Sequence, residues 1–191
     1  MVLSKFFKRD PWEVRARALY DRVVAQARQP GFYRDCGVPD SVDGRFELIA
    51  LHAFLVLHRL KTDPSDTEAL GQALFDIMFQ DMDQSLRELG AGDLGVGPRV
   101  KRMAQGLYGR IAAYEAGLSG PAAELEAALR RNLFGTVTPE PEQVRAMAAY
   151  LRGAVDALTR WEPLREPAEI EAGDPDFGVP PGASEIRPAA G

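Results

Sequence analysis

Apolar residues recur at steps of three and four along most of the chain, which is the spacing of an amphipathic α-helix. Six segments show this spacing, and each begins beside a proline or a residue that can cap a helix. The six starts lie near Asp10, Ser41, Asp63, Pro98, Ser119 and Thr138. No run alternates at a period of two for long enough to predict a strand. The sequence therefore predicts an all-α fold, a single bundle of about six helices.

The second predicted helix differs from the others because it is apolar on nearly every face. From Phe46 to Leu60 its polar positions are few, and the two histidines, His52 and His58, lie within it. A helix that is apolar all round has to be surrounded by other helices. We expect this segment to lie at the centre of the bundle, with both histidines in structural roles.

Composition divides the chain into three parts. Residues 10–161 carry the helical spacing and form the predicted helical domain. Residues 1–9 form a short basic and amphipathic segment that precedes it. Residues 162–191 contain six prolines, four glycines and seven acidic residues, too little apolar surface to offset the entropy of ordering. We predict a flexible or extended, acidic and proline-rich C-terminal tail.

The charge and the apolar content exclude several classes of protein. A chain of 191 residues with 46% apolar residues is an ordinary globular composition. The net charge of −5 disfavours DNA binding, which depends on neutralising phosphates. The single Cys36 excludes an intramolecular disulfide. No secretory signal or membrane-spanning run is found, so we expect a cytoplasmic protein.

Candidate catalytic chemistry is sparse. His52 and His58 are six positions apart, which places them on different faces of one helix, so no metal site is predicted from them. Asp76, Gln80 and Asp83 share a face and could hold magnesium. A solvated helix face explains the same pattern, and no phosphate loop, dinucleotide fingerprint or serine elbow accompanies it. We predict no catalytic residue and no cofactor.

The most specific segment runs from Phe75 to Tyr114, where an acidic helix is followed by a glycine-containing turn and a basic helix. Residues 76–93 contain five acidic side chains and one basic, whereas residues 94–114 contain four basic and none acidic. Such charges either pair within the fold or present a surface to a partner. Gly106 and Gly109 indicate close approach by a neighbouring helix or by a bound segment.

The order of motifs in this segment resembles the ubiquinol-cytochrome c chaperone family. The residues that carry the resemblance are the acidic pair Asp81 and Asp83, then Leu86-Arg87-Glu88, Gly90-Ala91-Gly92-Asp93, Val100-Lys101 and Tyr108-Gly109-Arg110. Members of that family assist assembly of the cytochrome b subunit of respiratory complex III. The resemblance extends over most of residues 19–150.

The resemblance implies a non-enzymatic assembly chaperone that binds newly made cytochrome b or an assembly intermediate of complex III. It also implies a small partner protein and a position near the ribosome. Methionine suits a surface that accepts varied apolar segments, since its side chain is flexible and polarizable. The predicted partner-binding or client-binding residues are Met78, Asp81, Met82, Asp83, Arg87, Glu88, Asp93, Lys101, Met103, Tyr108 and Arg110.

The N-terminal segment is the predicted contact with an anionic membrane or with the ribosome. It consists of Lys5, Phe6, Phe7, Lys8 and Arg9, which combine positive charge with two aromatic rings. We therefore expect the protein at the inner face of the respiratory membrane, which is the matrix side in mitochondria.

Two alternative functions stay open from the residues alone. One is a helical enzyme that uses magnesium and a diphosphate substrate, and the other is a generic helical protein-interaction module.

Overall fold

The computed structural model of the protein describes residues 11–88, 93–163 and 174–182. Within these ranges the regular secondary structure is entirely helical, and six helices have ten or more residues. The helices are α1 (Pro11–Ala27), α2 (Pro30–Arg34), α3 (Val42–Leu60), α4 (Pro64–Glu88), α5 (Asp93–Ser119), α6 (Ala122–Arg131) and α7 (Pro141–Leu158). The all-α prediction is confirmed. The additional helix, α2, has five residues and lies between the first two predicted helices.

Two helix starts differ from the prediction. Helix α5 begins at Asp93, five residues before the predicted start at Pro98. Two glycines and the proline lower the helix propensity of this turn, so periodicity alone did not include it. Helix α7 begins at Pro141, where the Glu140 N–H donates to Gln143 Oε1 at 3.0 Å in a capping box. Capping thus fixes the start of α7.

Helix α3 forms the centre of the bundle, as its apolar surface predicted. Eleven of its nineteen residues are buried, and α1, α4, α5 and α7 all contact it. Its start is fixed by Ser41, whose Oγ accepts the Gly44 N–H at 3.2 Å. Even so, no helix in the described ranges is both long enough and apolar enough to span a membrane.

Helix α1 packs along α4 and fixes one side of the bundle. Ala16, Leu19 and Val23 point into the core on the spacing that the sequence shows. Tyr20 is also buried, and its hydroxyl donates to Asp81 Oδ2 of α4 at 2.8 Å. Burial is the main reason that the pKa of Tyr20 lies above its ordinary value, so the phenol remains a donor. One acidic residue of the predicted binding surface therefore helps to join two helices.

A chain of hydrogen bonds crosses the core through His52, which is fully buried. His52 Nδ1 lies 2.7 Å from the Leu48 carbonyl oxygen, and a carbonyl can only accept. Nδ1 therefore carries the proton, and Nε2 accepts from the Tyr150 hydroxyl at 2.8 Å. Gln26 Nε2 in turn donates to the Tyr150 oxygen at 3.0 Å. This arrangement joins α1, α3 and α7 and requires a neutral imidazole.

Part of the predicted acidic tail lies against the bundle. Residues 174–182 have no regular secondary structure, and the Phe177 side chain is 5% exposed, with its ring edge-on to His52 at a centroid distance of 5.5 Å. Gln26 Nε2 donates to the Gly178 carbonyl at 2.9 Å. Gly178 has a φ of 73°, a value that favours glycine. The segment therefore closes the core over His52. Residues 164–173 and 183–191 lie outside the described ranges.

The buried imidazole predicts a loss of stability in mild acid. Burial lowers the pKa of His52 from 6.5 to about 4. Between these values the unfolded chain binds a proton that the folded chain does not, so folding is weakened as the pH falls. We expect the free energy of unfolding to drop by about 3 kcal/mol between pH 7 and pH 4 from this group. Urea unfolding at several pH values measures the loss.

Matched histidine variants isolate this effect. In His52→Gln the part of the pH dependence due to His52 should disappear, although the variant is less stable at pH 7. His58→Gln keeps His52 and should keep the drop. An identical pH profile for the wild type and His52→Gln would show that the buried imidazole does not control acid stability.

Candidate functional site

An open cleft of about 590 Å³ lies between the start of α3, the middle of α5 and the turn after α6. Its apolar lining includes Val42, Phe46 and Met103, and Val42 is 55% exposed. Basic side chains lie around this apolar part. They are Arg102 and Arg110 from α5 and Arg131 from the end of α6. The cleft thus combines an apolar surface with positive charge, and two of the predicted binding residues, Met103 and Arg110, line it.

An ion pair forms one wall of the cleft. Arg110 of α5 binds Glu47 of α3 through two hydrogen bonds, Nε to Oε2 at 2.6 Å and Nη2 to Oε1. Both side chains are largely buried, with 19% of Arg110 and 11% of Glu47 exposed. Burial raises the pKa of the Glu47 carboxyl, and the guanidinium opposes part of that shift. The guanidinium also stacks over the Phe46 ring at 5.3 Å. The pair joins α3 to α5.

A buried tyrosine on α5 lies close to the ion pair. Tyr114 is fully buried, and its ring contacts Phe54 at a centroid distance of 5.3 Å. Its hydroxyl has no hydrogen-bond partner among the described residues. Burial and the nearby Glu47 charge both raise the pKa of Tyr114, so the phenol remains neutral. Tyr114 therefore adds no charge to the region of the cleft.

The acidic residues of α4 do not share the cleft with Arg110. Asp81 accepts the hydrogen bond from Tyr20 of α1, and Asp83 pairs with Arg87 one turn along α4 at 2.7 Å. Glu88 accepts from the Gln84 amide at 3.0 Å. The structure therefore does not bring the predicted binding residues together at one site. Asp83, Arg87 and Glu88 are partly or fully exposed on α4, whereas Met103 and Arg110 line the cleft between α3 and α5.

The apolar residues of the prediction also divide by burial. Met78 and Met82 are 1% and 6% exposed and belong to the core, so neither presents a surface to a client while the bundle is closed. Met103 is partly buried and lines the cleft. Tyr108 is 62% exposed, and its ring lies 5.5 Å from that of Phe75 on α4. Of this group, Met103 and Tyr108 are accessible.

Several predicted residues are not described. The backbone at Asp93 and Lys101 is helical in α5, but the placement of their side chains is outside what the structure describes. Lys5, Phe6, Phe7, Lys8 and Arg9 lie outside the described ranges altogether. Their predicted roles stay predictions.

The two glycines of α5 have different surroundings. A methyl group at Gly106 would lie 2.7 Å from Arg110 Nη1, so the glycine leaves room for the arginine of the ion pair. At Gly109, which is exposed, nothing lies within 4 Å of the corresponding position. Gly109 is therefore not explained by packing against a described helix, whereas a bound segment could approach it closely.

The acidic face considered as a magnesium site is engaged in hydrogen bonds. Asp76 accepts from the Gln72 amide at 2.8 Å, and Asp83 pairs with Arg87. Within the described ranges no three His, Cys, Asp or Glu side chains are grouped so that they could hold a metal ion.

The sequence prediction omitted Glu47, the partner of Arg110. Glu47 lies inside the apolar run Phe46 to Leu60, where it was treated as part of a core helix. A lone carboxylate in such a run is a usable signal, because a buried charge requires a partner. Arg102, Arg131 and Val42 were also omitted, since no local pattern shows that α3, α5 and α6 meet there.

An all-α bundle with an open cleft of apolar and basic side chains is the architecture of a helical binding protein. Comparison with known proteins identifies the family. The sequence model of the ubiquinol-cytochrome C chaperone family matches residues 34–163, more than half of the chain. The chain therefore belongs to the ubiquinol-cytochrome c chaperone family, which confirms the resemblance drawn from residues 75–114.

Relatives and a solved structure agree with this assignment. The chain is 24% identical over 174 residues to ubiquinol-cytochrome c reductase complex assembly factor 1 of Mus musculus, covering 83% of this chain but 59% of the mouse protein. The Xenopus laevis protein of the same name is 24% identical over 153 residues, covering 79% of this chain and 76% of the frog protein. The crystal structure of the Cbp3 homolog from Brucella abortus superposes with a TM-score of 0.70 at 41% identity, covering 78% of this chain and 83% of that one.

The ion pair at the cleft predicts a large effect of removing one partner. Arg110→Met leaves the buried Glu47 carboxylate without its partner, and we expect a loss of about 2 to 4 kcal/mol in the free energy of unfolding. The double variant Glu47→Gln with Arg110→Met should recover part of this loss. Chemical denaturation of the three proteins measures both effects.

Asp83→Ala is the matched control, because its pair with Arg87 is exposed. It should cost under about 1 kcal/mol. If Arg110→Met were as mild as Asp83→Ala, the pair between α3 and α5 would not be an important support of the cleft.

Proposed function

We propose that this protein is a non-enzymatic assembly chaperone for ubiquinol-cytochrome c reductase, respiratory complex III. In this proposal it binds newly made cytochrome b, or an assembly intermediate that contains it. Membership in the ubiquinol-cytochrome c chaperone family supports the proposal. So do the names of its relatives, which are called assembly factors of that complex. The chain spans 59% of the length of the mouse relative, so the identities of the client and of the partners belong to the proposal.

The observation that carries the binding role is the open cleft between α3 and α5. A chaperone for an apolar membrane subunit has to accept apolar helical segments and shield them from water. The exposed Val42 side chain and the partly buried Met103 side chain offer such a surface. Methionine can adjust to segments of different shape. The activity is one of binding and release, with no covalent step.

The outer face of α4 and the start of α5 form a second surface in this proposal. Asp83, Arg87 and Glu88 are partly or fully exposed on α4. Tyr108 is exposed further along, on α5, where its ring contacts Phe75 of α4. Together with Asp93 and Lys101, these residues bind the small partner protein. The two surfaces let the protein hold a client and a partner simultaneously.

The N-terminal segment gives the proposed location. Residues 5–9 attach the protein to the anionic inner face of the respiratory membrane or to the ribosome, where cytochrome b is made. Three basic residues contribute about 1 kcal/mol each near an anionic surface. The attachment is therefore weak and reversible.

Photo-crosslinking tests the client. A photoreactive amino acid at Met103 should crosslink to cytochrome b in membranes of respiring cells, as identified by mass spectrometry. The same group at Arg160 is the control. Arg160 follows α7, near the end of α3 opposite the cleft, since Arg59 Nε donates to the Leu158 carbonyl at 3.0 Å. Crosslinks at Arg160 alone would contradict the proposed site.

A matched pair of valine variants links the cleft to assembly. Val42→Asp places a charge in the cleft at the first turn of α3, where the helix dipole favours an acid. Val14→Asp makes the same change near the start of α1, where the side chain is exposed to a similar extent, 52% against 55%. In cells that lack the protein, we expect Val14→Asp to restore the complex III level and Val42→Asp to restore much less. Equal restoration by both would exclude the cleft as the client site.

Flotation with anionic liposomes tests the N-terminal contact. We expect the full chain to float partially, and Lys5→Gln/Lys8→Gln/Arg9→Gln to float no more than it does with uncharged vesicles. Equal flotation of the two proteins on anionic vesicles would discard the membrane contact. Raising the salt concentration should release the full chain, since the attraction is screened.

A further inference from the structure

Two of the three arginines that line the cleft have no partner among the described residues. Arg110 is occupied by Glu47. Arg102 on α5 and Arg131 at the end of α6 are both exposed. Neither makes an ion pair or a side-chain hydrogen bond with any part of the chain that the structure describes. With respect to the described residues, the cleft therefore holds two guanidinium groups that no carboxylate engages.

The remaining charges of the cleft leave it positive. Glu47 is neutralised by Arg110, so Asp43 is the carboxylate that opposes the two available arginines. The start of α3 also faces the cleft through Val42 and Gly44, and a helix start carries a partial positive charge. An anionic group is thus favoured at this position. Guanidinium groups bind carboxylates with suitable geometry.

The positive groups border an apolar surface. Val42, Phe46 and Met103 line the same cleft as Arg102 and Arg131. A ligand that satisfies both parts has an apolar body that carries one negative charge. A polypeptide helix with a single acidic residue among apolar ones has this character.

We propose that the cleft recognises an apolar helical segment of the client through one acidic side chain, whose carboxylate binds Arg102 and Arg131. This inference rests on the proposed function and names the class of segment that the chaperone accepts. Asp43 favours a polypeptide over a membrane surface, because it repels the dense negative charge of anionic lipid but tolerates one carboxylate placed beside the arginines. The acidic residue sets which segment of the client binds.

Synthetic peptides test the recognition of the charge. The probes are two fluorescent, leucine-rich and alanine-rich peptides of about 18 residues, long enough to hold a helix, in a mild nonionic detergent. They are identical except for a central Glu in one and Gln in the other. Fluorescence anisotropy should show the Glu peptide binding the full chain roughly fivefold more tightly or better, since a charge-assisted hydrogen bond in a partly exposed cleft is of modest strength.

Variants locate the effect. Arg102→Gln/Arg131→Gln should abolish the preference for the Glu peptide, whereas Arg160→Gln, the matched arginine variant outside the cleft, should retain it. All three proteins should unfold at similar denaturant concentrations, because the substituted side chains are exposed. A preference that survives in the double variant would overturn the assignment to Arg102 and Arg131.

Two further outcomes separate this inference from the proposed function. If both peptides bind the full chain equally, or neither binds, recognition of an acidic side chain is wrong. The chaperone role is still decided separately by the complex III level in cells that lack the protein. If the double variant loses binding to phosphatidylglycerol vesicles without any peptide preference in the full chain, the arginines serve a membrane contact and the inference fails.

Discussion

The structure depends on the burial of α3 by the helices around it. This helix is buried over most of its surface, so the helices around it are needed to remove its apolar residues from water. The same burial means that the two buried polar residues of α3 need hydrogen-bond partners within the protein. Glu47 and His52 cannot be solvated where they lie, and each has to find its partner on another helix. Arg110 of α5 and Tyr150 of α7 supply those partners.

These two polar contacts set the shape of the molecule at opposite sides of α3. On one side the pair of Glu47 with Arg110 holds the middle of α5 against the start of α3, and the cleft opens beside it. On the other side His52 and Tyr150 form a cluster that Phe177 covers. The first side presents exposed arginines beside accessible apolar side chains, whereas on the second side Phe177 covers the polar cluster. Positive charge beside an apolar lining is the physical reason for placing client binding at the cleft.

The cleft suits the binding role that we propose. The charged groups of the cleft either neutralise each other or are available to a ligand, and the accessible apolar side chains adapt to varied shapes. Family membership and the cleft thus point in the same direction from independent observations. Binding of one client carboxylate by Arg102 and Arg131, as we propose, would make the cleft selective, whereas its apolar side chains alone would accept many apolar segments.

The sequence by itself determined the helical class, the central position of the helix from Phe46 to Leu60, and the family, because spacing, capping and motif order are local properties. It could not determine which charges meet. Arg110 belongs to a basic block beside an acidic one in sequence, yet its partner is Glu47, 63 positions away. Asp81 likewise bonds Tyr20 of α1. Only the tertiary structure decided these pairs, since the packing of α3 determines which side chains are buried together, and burial determines which charges require a partner.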